Sequence, residues 1–156
     1  MDLGLYLHLP FCKSKCHYCD FNSYPLRDDY QLSSYISALY SEIAIYSQKL
    51  KNITMKTIYL GGGTPSILSG DLIYNILNFC KNSFKVDKNA EITIEANPGT
   101  LDKKKTKRLN EAGINRLSLG AQSFNDYLLK KLGRIHTAQD IIDSYYKARE
   151  SGFNNI

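Results

Sequence analysis

The chain has 156 residues, of which 43% are hydrophobic and 22% charged, a length and balance typical of one globular domain with a substantial core. Its net charge is +5, but the basic run from Lys103 to Arg108 contains no interleaved aromatic residues, which favours a solvated helix face over a nucleic-acid surface. No apolar run approaches the roughly 18 residues of a membrane span, and no signal sequence is evident, so we expect a cytoplasmic protein with reduced thiols.

Apolar stretches typical of buried β-strands alternate with helical patterns along the whole chain. Strands are predicted at residues 3–9, 56–60, 90–95 and 115–119. The helices that follow are predicted to begin at Asp28 or Asp29, at Ser69 or Asp71, at Thr100 or Asp102, near Asp126, and in the capping-box pattern Thr137–Asp140. Residues 153–156 are predicted to begin a fifth strand.

This alternation predicts an α/β fold in which helices cover a parallel sheet. Periodicity alone does not separate an open Rossmann-like sheet from a β/α barrel. In barrels, functional groups gather where the strands end. Here the first strand leads into a cysteine cluster and the second into Gly61–Thr64, while the third ends at Glu95 and the fourth leads to Gln122. We therefore expect one rim of the sheet to form the functional site.

The strongest chemical signal is the segment Cys12–Cys19, in which three cysteines have the spacing C-x3-C-x2-C. A structural zinc site and an ordinary ferredoxin cluster each need four protein ligands. Three thiolates can instead hold three irons of a [4Fe–4S] cluster and leave the fourth iron open to another ligand. Lys13 and Lys15 favour the thiolate, which is the form that binds metal.

Other interpretations of the cysteines remain open. A zinc site completed by His8 or His17 would make this a structural or interaction domain. Disulfide bonds would leave one cysteine of the cluster unpaired. The fourth cysteine of the chain, Cys80, lies on the apolar face of a predicted helix, so we expect it in the core.

The triple glycine at Gly61–Thr64 has two interpretations. It lacks the Lys-Ser or Lys-Thr of a phosphate-binding P-loop and the G-x-G-x-x-G of a dinucleotide fold. Residues without side chains allow backbone groups to approach a ligand closely. The segment is therefore either a ligand-facing loop or a simple chain reversal.

The segments Tyr6–Cys12 and Cys16–Phe21 resemble the cluster-binding opening of the radical S-adenosylmethionine (SAM) superfamily. Within it they are most similar to the haem chaperone family HemW, which is related to oxygen-independent coproporphyrinogen III oxidase. The resemblance implies a partial (βα)6 radical SAM barrel, truncated after about four βα units. Residues 1–156 would then be the N-terminal portion of the core domain, without the rest of the barrel or the C-terminal domain.

The resemblance also implies roles for the rim residues. The cluster ligands would be Cys12, Cys16 and Cys19. The positions matched to SAM contacts are Tyr6, Gly62, Gly63, Thr64, Glu95, Gln122 and Arg134. An arginine suits the SAM carboxylate because its guanidinium donates two parallel hydrogen bonds. Alternative structural roles are a core position for Tyr6, a salt bridge for Glu95 and a surface position for Arg134.

The cofactors implied by the resemblance are a [4Fe–4S] cluster, SAM and, in a HemW-like protein, haem. The implied partners are a flavodoxin- or ferredoxin-type electron donor and a haem-accepting protein. The cluster would cleave SAM reductively, giving methionine and a 5′-deoxyadenosyl radical. The oxidases typically carry a fourth cysteine two positions after the third, where this chain has Phe21, so haem binding and delivery is favoured over coproporphyrinogen III dehydrogenation.

Overall fold

A computed structural model of the chain describes residues 2–156. In chain order the strands are β1 (Asp2–Leu9), β2 (Phe11–Cys12), β3 (Tyr24–Pro25), β4 (Thr54–Gly62), β5 (Lys85–Ala96) and β6 (Arg116–Leu119). The helices are α1 (Asp29–Lys49), α2 (Gly70–Ser83), α3 (Lys103–Glu111), α4 (Asp126–Lys131) and α5 (Ala138–Glu150), with a 3₁₀ turn at Pro65–Ile67. The main sheet is parallel with the order β1-β4-β5-β6, and β2 pairs with β3 separately.

The helices begin where their capping residues satisfy the first free backbone N–H groups. The side chains of Asp28, Ser69 and Asp102 accept hydrogen bonds from the backbone N–H three residues later, which decides between the candidate start positions. Thr137 and Asp140 form the predicted capping box at the start of α5. The predicted helices are therefore confirmed.

The predicted fifth strand at residues 153–156 is wrong. Within the described part of the chain these residues form no strand, and a single backbone hydrogen bond of 2.9 Å, from Leu117 N to Asn155 O, joins them to β6. A strand needs successive bonds along a ladder, and one bond does not supply them. The four predicted strands of the main sheet are confirmed, although β5 begins earlier than its apolar pattern indicated.

The strand order decides between the two sheet architectures that periodicity left open. A doubly wound Rossmann sheet reverses its strand order near the middle. Here the spatial order follows the chain order, so each right-handed crossover places its helix on the same face of the sheet. The fold is accordingly an arc of a β/α barrel with four strand–helix units.

The two faces of the sheet differ sharply in composition. One face packs on the helices and forms the core, to which the strands contribute Leu7, Leu9, Ile58, Leu60, Ile92, Ile94 and Leu117. The opposite face is polar: Tyr6 stacks on Tyr59, and Arg116 pairs with Glu91 at 3.1 Å. A parallel sheet is normally covered on both faces, so this polar face corresponds to the interior of the barrel.

The basic run on α3 is partly a solvated face, as its sequence predicted. Lys103, Lys104 and Lys107 are exposed, whereas Lys105 is half-buried and donates to the backbone carbonyls of Ser66 and Thr100. Within residues 2–156, no helix has both the length and the apolar character needed to cross a membrane.

The contrast between the two faces predicts unequal costs for neighbouring substitutions on β4. Ile58 is 0% exposed, so Ile58→Ala is expected to lower the free energy of unfolding by about 2–5 kcal/mol. Thr57 is exposed on the polar face, and Thr57→Ala is expected to change it by no more than about 0.5 kcal/mol. Urea unfolding measures both. Equal losses would show that the polar face is packed as tightly as the core.

Candidate functional site

The ends of β1, β4, β5 and β6 surround a cavity of about 590 Å³. Its lining includes Cys12, Cys16, Cys19, Gly63, Thr64, Glu95, Asn97, Gly120, Gln122 and Arg134. The structure thus brings together all the predicted site residues except Tyr6 and Gly62. The position of this cavity agrees with the expectation that functional groups gather at the strand ends.

The cysteine loop is fixed at its beginning and at its middle. The pairing of β2 with β3 holds the beginning, where Leu26 N donates to Cys12 O at 3.0 Å. At the middle, His17 N donates to Leu132 O at 3.1 Å, and the His17 ring hydrogen-bonds Lys131 O at 3.0 Å. The two-residue strand pair was not predicted, because two residues are too few to show a period in the sequence.

The placement of the thiols bears on which metal group they could hold. Among residues 2–156, no three His, Cys, Asp or Glu side chains converge as ligands of one metal ion. A cubic cluster has different requirements, because each thiolate binds a separate iron and the thiols must surround a cavity. The ring nitrogens of His8 already hydrogen-bond Tyr6 Oη at 3.1 Å and Asn22 O at 2.9 Å, which argues against His8 as a zinc ligand. Three thiols that line one cavity are the donor set that a [4Fe–4S] cluster with one open iron would need.

A chain of hydrogen bonds links two of the three cysteines through residues of other loops. Thr64 Oγ1 donates to Cys12 Sγ at 3.6 Å and accepts from Asn97 Nδ2 at 2.9 Å. Arg134 donates from Nη2 to Asn97 Oδ1 at 2.6 Å and from Nη1 to Cys16 Sγ at 3.3 Å. Because Arg134 can only donate, its partner on Asn97 must be the amide oxygen. We call this series the Cys12–Cys16 hydrogen-bond chain.

Sequence reasoning did not assign a role to Asn97. The residue lies two positions beyond the end of the predicted third strand. The available signal was its position two residues after Glu95, because residues two apart on a strand point to the same side. A polar side chain there, at a strand end, was a candidate for the same cavity.

Arg134 is a cavity residue, so the alternative of a surface arginine is wrong. Its Nη2 also donates to Gly120 O at 3.0 Å. Its Nε is buried and has no hydrogen-bond partner among residues 2–156. Buried donors are rarely left unpaired in folded proteins, so this nitrogen marks a place for an acceptor supplied by a ligand. A carboxylate is the acceptor that best matches a guanidinium.

Glu95 is held by hydrogen bonds, and the salt-bridge alternative is wrong. Its Oε1 accepts from Tyr59 Oη at 2.8 Å and its Oε2 from Gly62 N at 3.1 Å. The ion pairs found among residues 2–156 do not include it. Burial raises the pKa of Tyr59, and the bond to Glu95 raises it further, so the phenol stays a donor. A Cβ at Gly61 would lie 3.0 Å from Glu95 Oε2, which explains a glycine there.

Three predicted contacts lie at the edge of the cavity or outside it. Tyr6 is 54% exposed on the polar face, so a core position is wrong. It stacks on Tyr59 at 6.0 Å, and Tyr59 in turn donates to Glu95, which lines the cavity. Gly62 lies behind the lining and contributes its backbone N–H to Glu95. Gln122 lies on the rim with a φ of +65°, a conformation that costs a non-glycine residue energy and is enriched at functional sites.

The chain is similar to known proteins over nearly its whole length. A family profile described as the radical SAM superfamily matches residues 6–156. The haem chaperone HemW of Bacillus subtilis (strain 168) is 42% identical over 152 residues, which are 97% of this chain and 40% of that protein. The haem chaperone HemW of Escherichia coli (strain K12) is 41% identical over 138 residues, which are 88% of this chain and 36% of that protein.

Comparison with solved structures agrees with the sequence comparison. The solved structure of coproporphyrinogen III oxidase (HemN) from Escherichia coli, a radical SAM enzyme, superimposes with a TM-score of 0.89 at 30% identity, over 97% of this chain and 35% of that one. The chain therefore spans 40% or less of the length of these relatives. The strand order, the three cysteines around a cavity at the strand ends and the profile match from residue 6 to residue 156 agree, and the chain belongs to the radical SAM superfamily.

Proposed function

We propose that the chain is the N-terminal portion of the core domain of a HemW-like protein that binds a [4Fe–4S] cluster and SAM and acts in haem binding and delivery to haem proteins. The observation that carries the proposal is the cavity in which three free thiols lie beside Arg134, whose buried Nε has no hydrogen-bond partner among residues 2–156. The names of the relatives that match most of the chain at about 40% identity supply the haem role.

Cys12, Cys16 and Cys19 hold the cluster in this proposal. They supply three thiolates, so one iron keeps a position for SAM. When bound, the cluster supplies one electron to the SAM sulfonium, while the protein orients the reactants and excludes side reactions. Lys13 and Lys15 are exposed beside the cavity, and their charge suits the approach of an acidic flavodoxin- or ferredoxin-type electron donor.

The remaining rim residues orient SAM. The unpaired Nε of Arg134 binds the carboxylate of SAM, since its other nitrogens are already held by Asn97, Gly120 and Cys16. Glu95 accepts from SAM with lone pairs that Tyr59 and Gly62 leave free. The further predicted contacts are Tyr6, Gly62, Gly63, Thr64 and Gln122. Of these, Tyr6 acts through Tyr59 in the geometry described above.

A coproporphyrinogen III dehydrogenase is the second candidate, because the structure of HemN superimposes closely on this chain. Phe21 favours the chaperone. It stands two positions after Cys19, lines the cavity and is 64% exposed, so this rim offers an apolar ring and no fourth thiolate. The identity to the named haem chaperones, 42% and 41%, also exceeds the 30% to HemN.

The division of the cysteines gives the first test of this proposal. After anaerobic reconstitution, Cys16→Ala is expected to lose the cluster, whereas Cys80→Ala is expected to retain it. Cys80 is buried in the core, and burial raises its pKa to about 12, which keeps it a thiol that does not bind iron. The measurements are iron, sulfide and zinc per chain, and absorbance in the visible range. Stoichiometric zinc without iron or sulfide would refute the cluster.

The second test separates the two candidate functions. The reconstituted protein is incubated anaerobically with coproporphyrinogen III, SAM and a reductant, and in parallel is loaded with haem and mixed with an apo-haem protein. The chaperone proposal expects haem transfer, followed by the absorbance of the acceptor, and no porphyrinogen turnover. Formation of protoporphyrinogen would instead establish the dehydrogenase.

A further inference from the structure

His136 is a buried titratable residue to which the proposed function assigns no role. Its side chain is 6% exposed and lies behind the cavity, between two loops. Its Nε2 is 3.2 Å from Ala121 O, and its Nδ1 is 3.4 Å from Arg134 Nη2. The imidazole therefore touches both the turn that carries Gln122 and the guanidinium that faces Cys16.

The two contacts determine the state of the ring. Ala121 O can only accept a hydrogen bond and Arg134 can only donate one. Both contacts are compatible with one tautomer of the neutral imidazole, in which Nε2 carries the proton and Nδ1 accepts a share of an N–H of Arg134 Nη2. Burial lowers the pKa of His136 and outweighs the hydrogen bond to Ala121, which raises it; the charges of Arg134 and Asp140 act in opposite directions, and the net lowering favours this neutral form.

The turn that His136 holds is under strain of its own. Gln122 has a φ of +65°, and Ser123 N donates to Ala121 O at 2.8 Å across it. A side chain outside the turn that binds the same carbonyl limits its relaxation. The two N–H groups of Arg134 Nη2 are directed at Asn97 Oδ1 and Gly120 O, and the longer contact with His136 Nδ1, at 3.4 Å, shares one of them.

We propose that His136 is a positioning residue: one imidazole fixes the Gln122 turn and the Arg134 guanidinium relative to each other, and so sets the geometry of the SAM site. The inference rests on the proposed function only for the identity of the ligand. It acts through Arg134 and the turn, and it needs no contact between His136 and SAM.

The test uses substitutions that remove or keep one contact at a time. His136→Leu removes both. His136→Asn places an amide oxygen where Nδ1 stood and can still accept from Arg134, while His136→Gln places an amide nitrogen where Nε2 stood and can still donate to Ala121. The matched control is Ser144→Ala. It removes a buried hydroxyl group that accepts a hydrogen bond from Gly99 N at 3.0 Å, outside the cavity.

The first readout is hydrogen exchange in the cluster-free protein, which does not depend on the proposed function. Backbone amides of residues 120–124 are expected to exchange faster in His136→Leu than in the wild type, and to be slowed again in His136→Gln. Ser144→Ala is expected to leave the exchange rates of these amides unchanged, even if its thermal unfolding temperature falls as far as that of His136→Leu. Unchanged exchange in His136→Leu would overturn the inference.

The second readout is the SAM dissociation constant of the reconstituted protein, measured by equilibrium dialysis. His136→Leu is expected to raise it about tenfold, equivalent to roughly 1.4 kcal/mol, with partial recovery in His136→Asn. Unchanged affinity in His136→Leu, or a loss that follows thermal stability in every variant including Ser144→Ala, would overturn the inference alone. A wild-type protein that takes up no cluster or SAM would instead overturn the proposed function, and the exchange result would still decide whether His136 holds the turn.

Discussion

The structure depends on a parallel sheet that is apolar on one face and polar on the other. The core residues of β4 and β5, such as Ile58 and Ile94, are fully buried under the helices, while Tyr59 and Glu95 on the same strands face the opposite way. Because every crossover runs in the same direction, no helix within residues 2–156 is placed over the polar face by this topology. The polar side chains of the strands therefore extend uncovered to the rim of the sheet, where Gly61–Thr64 and the cysteine loop lie.

At the rim, hydrogen bonds join loops that are far apart in sequence. The Cys12–Cys16 hydrogen-bond chain uses one side chain after β4, one after β5 and one after α4. The sulfur atoms of Cys12 and Cys16 are therefore connected through three other segments of the chain. Interactions of this kind orient metal ligands and tune the charge around them. They also hold the Arg134 guanidinium in one place before a ligand arrives, which lowers the ordering cost of binding. A rim built in this way is suited to a small charged ligand.

Much of this could be predicted from the sequence, because strand-end positions and the cysteine spacing are local signals. The α/β alternation, the helix caps and the gathering of Cys12 and Glu95 around one cavity followed from them, whereas the place of Arg134 was implied only by the family resemblance. The features that were not predicted correctly depend on tertiary structure and not on local sequence. The roles of Asn97 and His136 depend on Arg134, whose position relative to Asn97 is fixed only by tertiary structure, and residues 153–156 have a strand-like composition without a ladder to join.

The four cysteines show how much of a thiol's reactivity can be predicted from local sequence. Cys80 and Cys16 are the same residue type in the same chain, but Cys80 is enclosed by apolar side chains of the core, which raise its pKa and keep it inert. Cys16 is half-buried, lines the cavity and accepts a hydrogen bond from the Arg134 guanidinium, so its sulfur lies where a ligand can reach it. The spacing within the loop indicated which thiols belong together. Their surroundings, which depend on loops more than a hundred residues away along the chain, determine which of them can act as ligands.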